Sequence, residues 1–345
     1  MKLGDIARES RETYKGNKTD IPIVGLEHLI SGELRFNDYE VNTDNTFTKV
    51  FHKGQILFGR RRAYLKKAAV AEFDGICSGD ITVIEAIPGK VDARLLPFII
   101  QNDRLFDFAV SRSAGGLSPR VKWEHLADYE FELPSIEEQR VLADKLWAAY
   151  ELKEAYKKMI AATDEMVKSQ FIEMFGDCNQ VPLGDICNIE KGATITRNDV
   201  LPGEIPVVAG GQEPSCYHNV ANRKAGAITV SASGAYAGFI NFWNCPIFAS
   251  DCNTVISKDA EKTDQTFVYF GLKAMQKQIY GLQKGGAQPH VYGKDLQKFM
   301  FPHPSYAKQI EFSKMAKQAD KSKFELRQAI DKIDKVMKSL INDIK

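Results

Sequence analysis

Residues 59–67 read Gly59-Arg60-Arg61-Arg62-Ala63-Tyr64-Leu65-Lys66-Lys67, and no acidic residue stands between Phe51 and Ala71. Arginine can hold guanine O6 and N7 with two parallel hydrogen bonds in the major groove, and lysine can neutralise phosphates. A cationic cluster interleaved with an aromatic ring is the footprint expected of a nucleic-acid-binding loop, which makes Arg60, Arg61, Arg62, Tyr64, Lys66 and Lys67 its candidate contacts. The plainer alternative is a solvated basic turn. Two glycine pairs bring further donors: Gly115-Gly116 is followed by Ser118, Arg120 and Lys122, and Gly285-Gly286 by Gln288 and His290. Glycine lets a ligand approach the backbone closely, although a tight turn uses it for the same conformational freedom. Lys191, Thr194, Thr196 and Arg197 form a third polar, basic stretch after Ile189.

Signatures of catalysis are missing from the same reading. There is no GxxxxGK[ST] phosphate cradle, and no GxGxxG follows a strand-like run. Asn244-Cys245-Pro246-Ile247 only loosely matches the Asn-Pro-Pro-aromatic motif of methyltransferases, and no glycine-rich cofactor loop accompanies it. Glu151-Leu152-Lys153 has a nuclease-like spacing but falls in a helical stretch, where an exposed charged pair is the ordinary interpretation. Cys77, Cys178, Cys187, Cys216, Cys245 and Cys252 include no CxxC pair, which suits reduced thiols and argues against zinc, even for Cys216, His218, Cys245 and Cys252 together. The net charge of +1 decides nothing, because binding depends on where the basic residues cluster. No apolar run is long enough for a membrane span, and the first residues lack a signal-peptide core, so a cytoplasmic protein is expected.

The elements that position these residues emerge when the chain is compared with itself. Leu3-Gly4-Asp5-Ile6 recurs as Leu183-Gly184-Asp185-Ile186, an offset of 180. Residues 56–64 align with 228–236, and Thr82-Val83-Ile84 with Thr254-Val255-Ile256, at 172. Gly115-Gly116-Leu117-Ser118-Pro119-Arg120-Val121 aligns with Gly285-Gly286-Ala287-Gln288-Pro289-His290-Val291 at 170, as do Pro134-Ser135 with Pro304-Ser305 and Lys168-Ser169 with Lys338-Ser339. The repeating unit is a whole domain followed by a helix. Within it Ala63-Tyr64 and Ala235-Tyr236 are shared, while Arg60 to Arg62 are replaced by Ala232, Ser233 and Gly234. Shared residues suggest scaffold and differing ones suggest readout, so Ser231, Ser233 and Tyr236 join the candidates. The two domains should then read different half-sites.

Each domain reads as mixed α/β, with strands expected at Gln55–Phe58, Ile81–Ile84, Ala227–Val230 and Thr254–Ile256, and helical segments at Leu95–Val110 and Gln265–Tyr280. Ser135-Ile136-Glu137-Glu138 is a capping box that should open a long helix. Its apolar stripe runs through Leu142, Leu146, Ala149, Tyr156, Ile160 and Val167, widened by Leu152, Met159 and Met166. After Ser305, Phe312, Met315, Ala319, Ser322, Leu326, Ala329, Ile333, Val336 and Leu340 alternate three and four residues apart, which predicts a coiled-coil seam. Each Pro-free run of about 40 residues would be ~60 Å long. Neither can bury its stripe alone, so antiparallel pairing is expected, with the two domains at opposite ends.

Duplicated Leu-Gly-Asp-Ile, Gly-Gly-x-x-Pro-x-Val and Pro-Ser, in that order over the whole chain, resemble the specificity subunit of type I restriction-modification enzymes. The resemblance implies two target recognition domains, here residues 1–134 and 178–304, separated by a central helix at 135–177 that pairs with a C-terminal helix at 305–345. It implies that each domain reads half of an asymmetric bipartite site in double-stranded DNA. The helices would measure the spacer and dock two copies of a modification subunit, with restriction subunits joining the complex. Methyl transfer and cleavage, with S-adenosylmethionine, ATP and Mg, would belong to those partners and not to this chain. One departure is that the chain opens at the first recognition domain with no helical segment before it. A divergent methyltransferase or nuclease, and a scaffold independent of DNA, are the competing readings.

Overall fold

Alternation of side chains along each strand explains the first sheet. Ile56, Phe58, Ala68, Val70 and Ile84 join one core, while Leu57, Ala69, Ala71, Ile81 and Val83 join another on the opposite face. Strands covered on both faces need apolar residues at every position, which is why these stretches carry unbroken hydrophobic runs. The computed structural model describes residues 1–342 and 344. It divides into two units, Met1–Ala155 with Gln328–Lys345, and Tyr156–Arg327. Each holds one α/β domain, the N-terminal half of the long helix that leaves it, and the C-terminal half of the other long helix.

In the first unit the five-stranded sheet runs in the order Ala7–Glu9, Ile81–Ala86, Ile56–Gly59, Ala68–Ala71, Arg35–Phe36, antiparallel except for the last pair. A small sheet of Ile23–Val24, Gly75–Cys77 and Lys49–Phe51 lies against one face, and the helices Leu96–Ile100 and Asp103–Ser111 against the other. The second unit repeats the order with Cys187–Lys191, Cys252–Ser257, Ala227–Ser231 and Ile240–Trp243, all antiparallel. Its second sheet is formed by Cys216–His218, Ile205–Val208 and Phe248–Ala249.

Both expected helical segments break in two. Asn102 leaves helical angles (φ −63°, ψ 131°), ending Leu96–Ile100, and its side chain caps Asp103–Ser111 by accepting from the Arg104 amide at 2.9 Å. Met275 separates Gln265–Ala274 from Gln276–Tyr280.

The long helices span Ile136–Phe175, 40 residues, and Tyr306–Asn342, 37 residues. The capping box forms as expected: the Glu138 amide donates to Ser135 Oγ at 3.3 Å and the Ser135 amide to Glu138 Oε2 at 2.9 Å. One turn on, Gln139 is buried, donating to the Pro134 carbonyl and accepting from the Asp92 amide. Gln309, 170 residues later, is equally buried and makes the same two bonds to Pro304 and Asp264. In each unit a buried glutamine thus stitches a domain loop to the start of the helix.

Within each unit the two helical segments run antiparallel. In the first, Ala143, Leu146 and Tyr150 share a core with Met337 and Ile344; in the second, Val167, Phe171 and Phe175 share one with Phe312, Ala316 and Ala319. Of the seam residues expected on the central helix, Leu146 and Val167 are buried and Leu142, Tyr156 and Ile160 half-buried, whereas Leu152, Met159 and Met166 are exposed. On the C-terminal helix Phe312 and Ala319 are buried, and Met315, Leu326, Ile333 and Leu340 are half-buried. Val336 does not belong to the covered row: it is 56% exposed, and Met337 beside it is 8% exposed. Rows one residue apart differ by about 100° around a helix and both satisfy the alternation, so only the facing partners choose between them.

Lys323 occupies this row in place of Ser322. Its ammonium, on a side chain only 9% exposed, meets Asp164 Oδ1 at 2.5 Å and Asp320 Oδ1 at 3.1 Å. Lys153 is its counterpart 170 residues earlier and meets Asp334 Oδ1 at 2.6 Å with its side chain 13% exposed. Lys153 is therefore not a member of an exposed pair with Glu151. It is an interhelical cation whose removal from water is compensated by a carboxylate of the partner helix. Among the described residues, no helix is long and apolar enough to cross a membrane.

Candidate nucleic-acid interface

The basic cluster leaves the strand Ile56–Gly59 and turns through a single 3-10 turn, Ala63–Leu65. Arg62 and Lys66 flank that turn, both in the left-handed region, at φ 54° and 50°. The second unit makes the same turn with Gly234 at φ 82° and Gly238 at φ 89°, each 172 residues later. Left-handed angles cost an L-residue ~1–2 kcal/mol and cost glycine almost nothing, so the first copy holds in strain a shape that the second adopts freely.

The glycine pairs form closed turns packed beside these loops. Ala114 and Arg120 exchange two backbone hydrogen bonds at 3.0 and 2.9 Å, and Lys284 and His290 do so at 2.9 and 2.8 Å. Gly115 (φ 116°) and Gly285 (φ 95°) provide the angles that close them. Each turn is bonded to its neighbour: the Arg62 amide donates to the Pro119 carbonyl at 2.8 Å, and the Gly234 amide to the Pro289 carbonyl at 3.0 Å. The turn is real, and it sets Ser118 and Arg120 beside Arg61.

Asp80 organises the group. Arg120 Nε donates to its Oδ1 at 2.6 Å, Arg61 Nη1 to its Oδ2 at 3.3 Å, and Arg61 Nη2 to Ser118 Oγ at 3.0 Å. Burial pushes the Asp80 carboxyl up, but Arg120 and then Arg61 outweigh it and hold it below the usual 3.8. In the second unit Asp251 accepts from the Ser233 hydroxyl, and its backbone carbonyl accepts from the Ala232 amide at 3.1 Å, as the Asp80 carbonyl accepts from Arg60 at 2.9 Å. Sequence comparison missed both acids, because insertion of one residue puts them 171 apart where the flanking strands are 172 apart. Their signal is an aspartate just before each Thr-Val-Ile strand.

Asp80→Asn should lower the melting temperature by roughly 2–4 °C, since the ion pairs it removes are partly exposed. A carboxylate with a depressed folded pKa stabilises above its unfolded pKa, so the gap from wild type should be full above about pH 5 and should narrow as the pH falls below 3.8. Melting curves across that range check this; a gap that does not depend on pH would mean that the charge of Asp80 is not what matters.

The remaining candidates are placed differently. Lys66 turns away to Asp103 Oδ1 at 2.5 Å, and Lys338 holds the other oxygen of that carboxylate at 2.7 Å. Lys67 donates to the Leu26 carbonyl at 2.7 Å. Arg60 is half-buried, and its Nε and that of Arg61 have no hydrogen-bond partner among the described residues. Arg62, Tyr64 and Lys122 are exposed. In the second unit Ser231 is buried, His290 is half-buried with its ring stacked on Tyr292, and Tyr236 and Gln288 are exposed. The loop after Lys191 docks through Gly192 and Ala193 onto the Cys252 and Ala249 carbonyls, on either side of Asp251. Thr196 is tied to Asp199, and Lys191, Thr194 and Arg197 are exposed.

These two loop clusters occupy equivalent places on equivalent sheets yet present different chemistry: a dense set of guanidiniums in one, small hydroxyls with one imidazole and one amide in the other. Such surfaces can make hydrogen bonds and ion pairs with a ligand. Burial pushes the Cys77, Cys187 and Cys252 thiols up to about 12, which keeps those three protonated and poorly nucleophilic. No group of three His, Cys, Asp or Glu side chains among the described residues could hold a metal ion.

The solved structures similar to this fold include the S subunit of the type I restriction-modification system from M. genitalium, with a TM-score of 0.65 and 14% identity, covering 100% of this chain and 95% of that one. Another, described as the structural basis of complex assembly and conformational transition of the type I R-M system, has a TM-score of 0.57 and 17% identity, covering 100% of this chain and 96% of that one. In sequence, the chain is 24% identical over 136 residues to the EcoDI specificity subunit of a type I restriction enzyme from Escherichia coli. That match spans 39% of this chain and 30% of the relative. The family model for the type I restriction modification DNA specificity domain matches residues 1–161 and again 176–335, so the chain belongs to that family, which it represents twice.

Proposed function

We propose that the chain is the sequence-reading subunit of a type I restriction-modification complex, with each α/β domain reading one half of an asymmetric bipartite DNA site. One observation carries this reading: a single loop architecture occurs twice with different side chains, Arg61 and Arg120 on Asp80 with Arg60, Arg62 and Ser118 in the same loops, and Ser233 on Asp251 with Gln288 and His290 in the adjoining turn. A shared frame with divergent tips is what two domains need to approach DNA alike and recognise different bases. Tyr64, Lys122, Tyr236, Lys191, Thr194, Thr196 and Arg197 line the approach, while Lys66 and Lys67 contribute positive potential from positions that also brace the loop. The chain performs no chemistry itself. Modification subunits dock on the paired helices and supply methyl transfer. The long helices that follow domains 1–134 and 178–304 set the spacer.

Modified bases should be mapped across the genome of cells that express the cognate modification subunit, with and without this chain. A bipartite modified motif that appears only when the chain is present is expected; its absence in both cultures would refute the reading. The spacer claim has its own test. Seven residues inserted into both helices, preserving their pairing, add ~10 Å at 1.5 Å per residue. The permitted spacing should then grow by about three base pairs at 3.4 Å each. An unchanged spacing would show that the helices do not measure the site.

A further inference from the structure

The left-handed residues of the basic loop separate into two kinds. Lys66 has a use inside the protein, because its ammonium is held by Asp103. Arg62 has none that the structure describes: its side chain is exposed and makes no hydrogen bond or ion pair among the described residues. The second unit shows that this backbone shape does not require an arginine, since Gly234 adopts it without strain and makes the same cross-loop contact, to Pro289 where Arg62 meets Pro119. The loop thus needs this backbone shape but not an arginine side chain at its strained position. Residues held in unfavourable angles cluster where an external contact depends on them.

We propose that Arg62 is a phosphate-binding residue of the first domain, held in a strained backbone conformation with its guanidinium exposed, in the same loop cluster as Arg61 and Arg120, which Asp80 has already immobilised. This rests on the reading of the chain as a DNA-binding subunit. A backbone phosphate is the anion of choice because Arg61 and Arg120 have committed donors to Asp80, whereas all of Arg62's guanidinium donors remain open to a ligand. Gly234 offers no equivalent contact, so the first domain should carry one more salt-sensitive contact than the second.

The test compares wild type with Arg62→Gly and Arg62→Asn, both of which tolerate left-handed angles, each as full-length chain bound to its modification subunit. Melting temperature is measured alongside affinity for cognate and scrambled duplexes at several salt concentrations. Neither variant should melt lower than wild type, and relief of strain should raise the glycine variant by up to ~3 °C. Affinity should fall about tenfold on both duplexes, and the slope of log affinity against log salt should shrink by about one. Unchanged affinity, or a loss confined to the cognate duplex with the slope intact, would overturn the proposal. Failure of the wild-type complex to bind any duplex would instead overturn the DNA-binding reading beneath it.

Discussion

Replacing Arg60, Arg61 and Arg62 together with alanine is expected to weaken binding to the full bipartite site at least ~100-fold, with recognition of one half lost and the other kept. A well-placed arginine contact, to a base or to a phosphate, contributes ~1 kcal/mol or more, and 1.4 kcal/mol is a factor of ten, so loss of three contacts, ~3 kcal/mol or more, exceeds 100-fold. The fold should survive. Arg61 is one of two arginines on Asp80, and Arg120 remains to neutralise that carboxylate at 2.6 Å. Relief of the left-handed strain at Arg62 is forgone, because alanine is strained there too. Competition with duplexes in which one half-site at a time is scrambled makes the measurement. The variant should no longer distinguish cognate from scrambled sequence in one half and should discriminate as before in the other. Equal loss across both halves would show that the cluster does not belong to one reader.

The second large effect is on stability. Phe171, 3% exposed, sits among Phe175, Phe267, Phe301 and Phe312 with ring centroids 5.3, 5.6, 6.2 and 5.4 Å away. Four separate elements supply these rings: the end of the central helix, the helix Gln265–Ala274, the strand Met300–Pro302 and the start of the C-terminal helix. Packing is so close that a Cβ on Gly271 would lie 2.5 Å from Phe301 and 2.8 Å from Phe171. A cluster this tight cannot collapse onto a void, so Phe171→Ala should cost ~3–5 kcal/mol. Denaturant titration should place that loss in the second unit, with the first unit's transition little moved. A cost below about 1 kcal/mol would show the cluster to be loosely packed, and the cohesion of the second unit would then have to lie elsewhere.

Several features are legible in the sequence because their signals are local. The capping box at Ser135 needs only residues three apart, and both of its bonds form. Continuous apolar runs mark the buried strands, since every position of a doubly covered strand faces a core. The duplication is legible because one fold imposes the same pattern at each occurrence; the order of the main-sheet strands and the buried Gln139 and Gln309 repeat with it. Even the left-handed turn leaves a trace, as glycines at 234 and 238 stand where the first copy has Arg62 and Lys66.

What the sequence determined, then, was periodicity, the caps, the repeat and the presence of a basic loop. Which of those basic residues stand free was decided only by tertiary structure. Asp80 reaches Arg120 across forty residues of chain, and Asp103 claims Lys66 and Lys338 from distant segments. The covered row of the C-terminal helix was decided in the same way. Val336 and Met337 fit the alternation equally, and the partner surface buried Met337. Local sequence records the conformation each segment prefers, but a charge is satisfied and a side chain buried only by whatever the fold brings next to it.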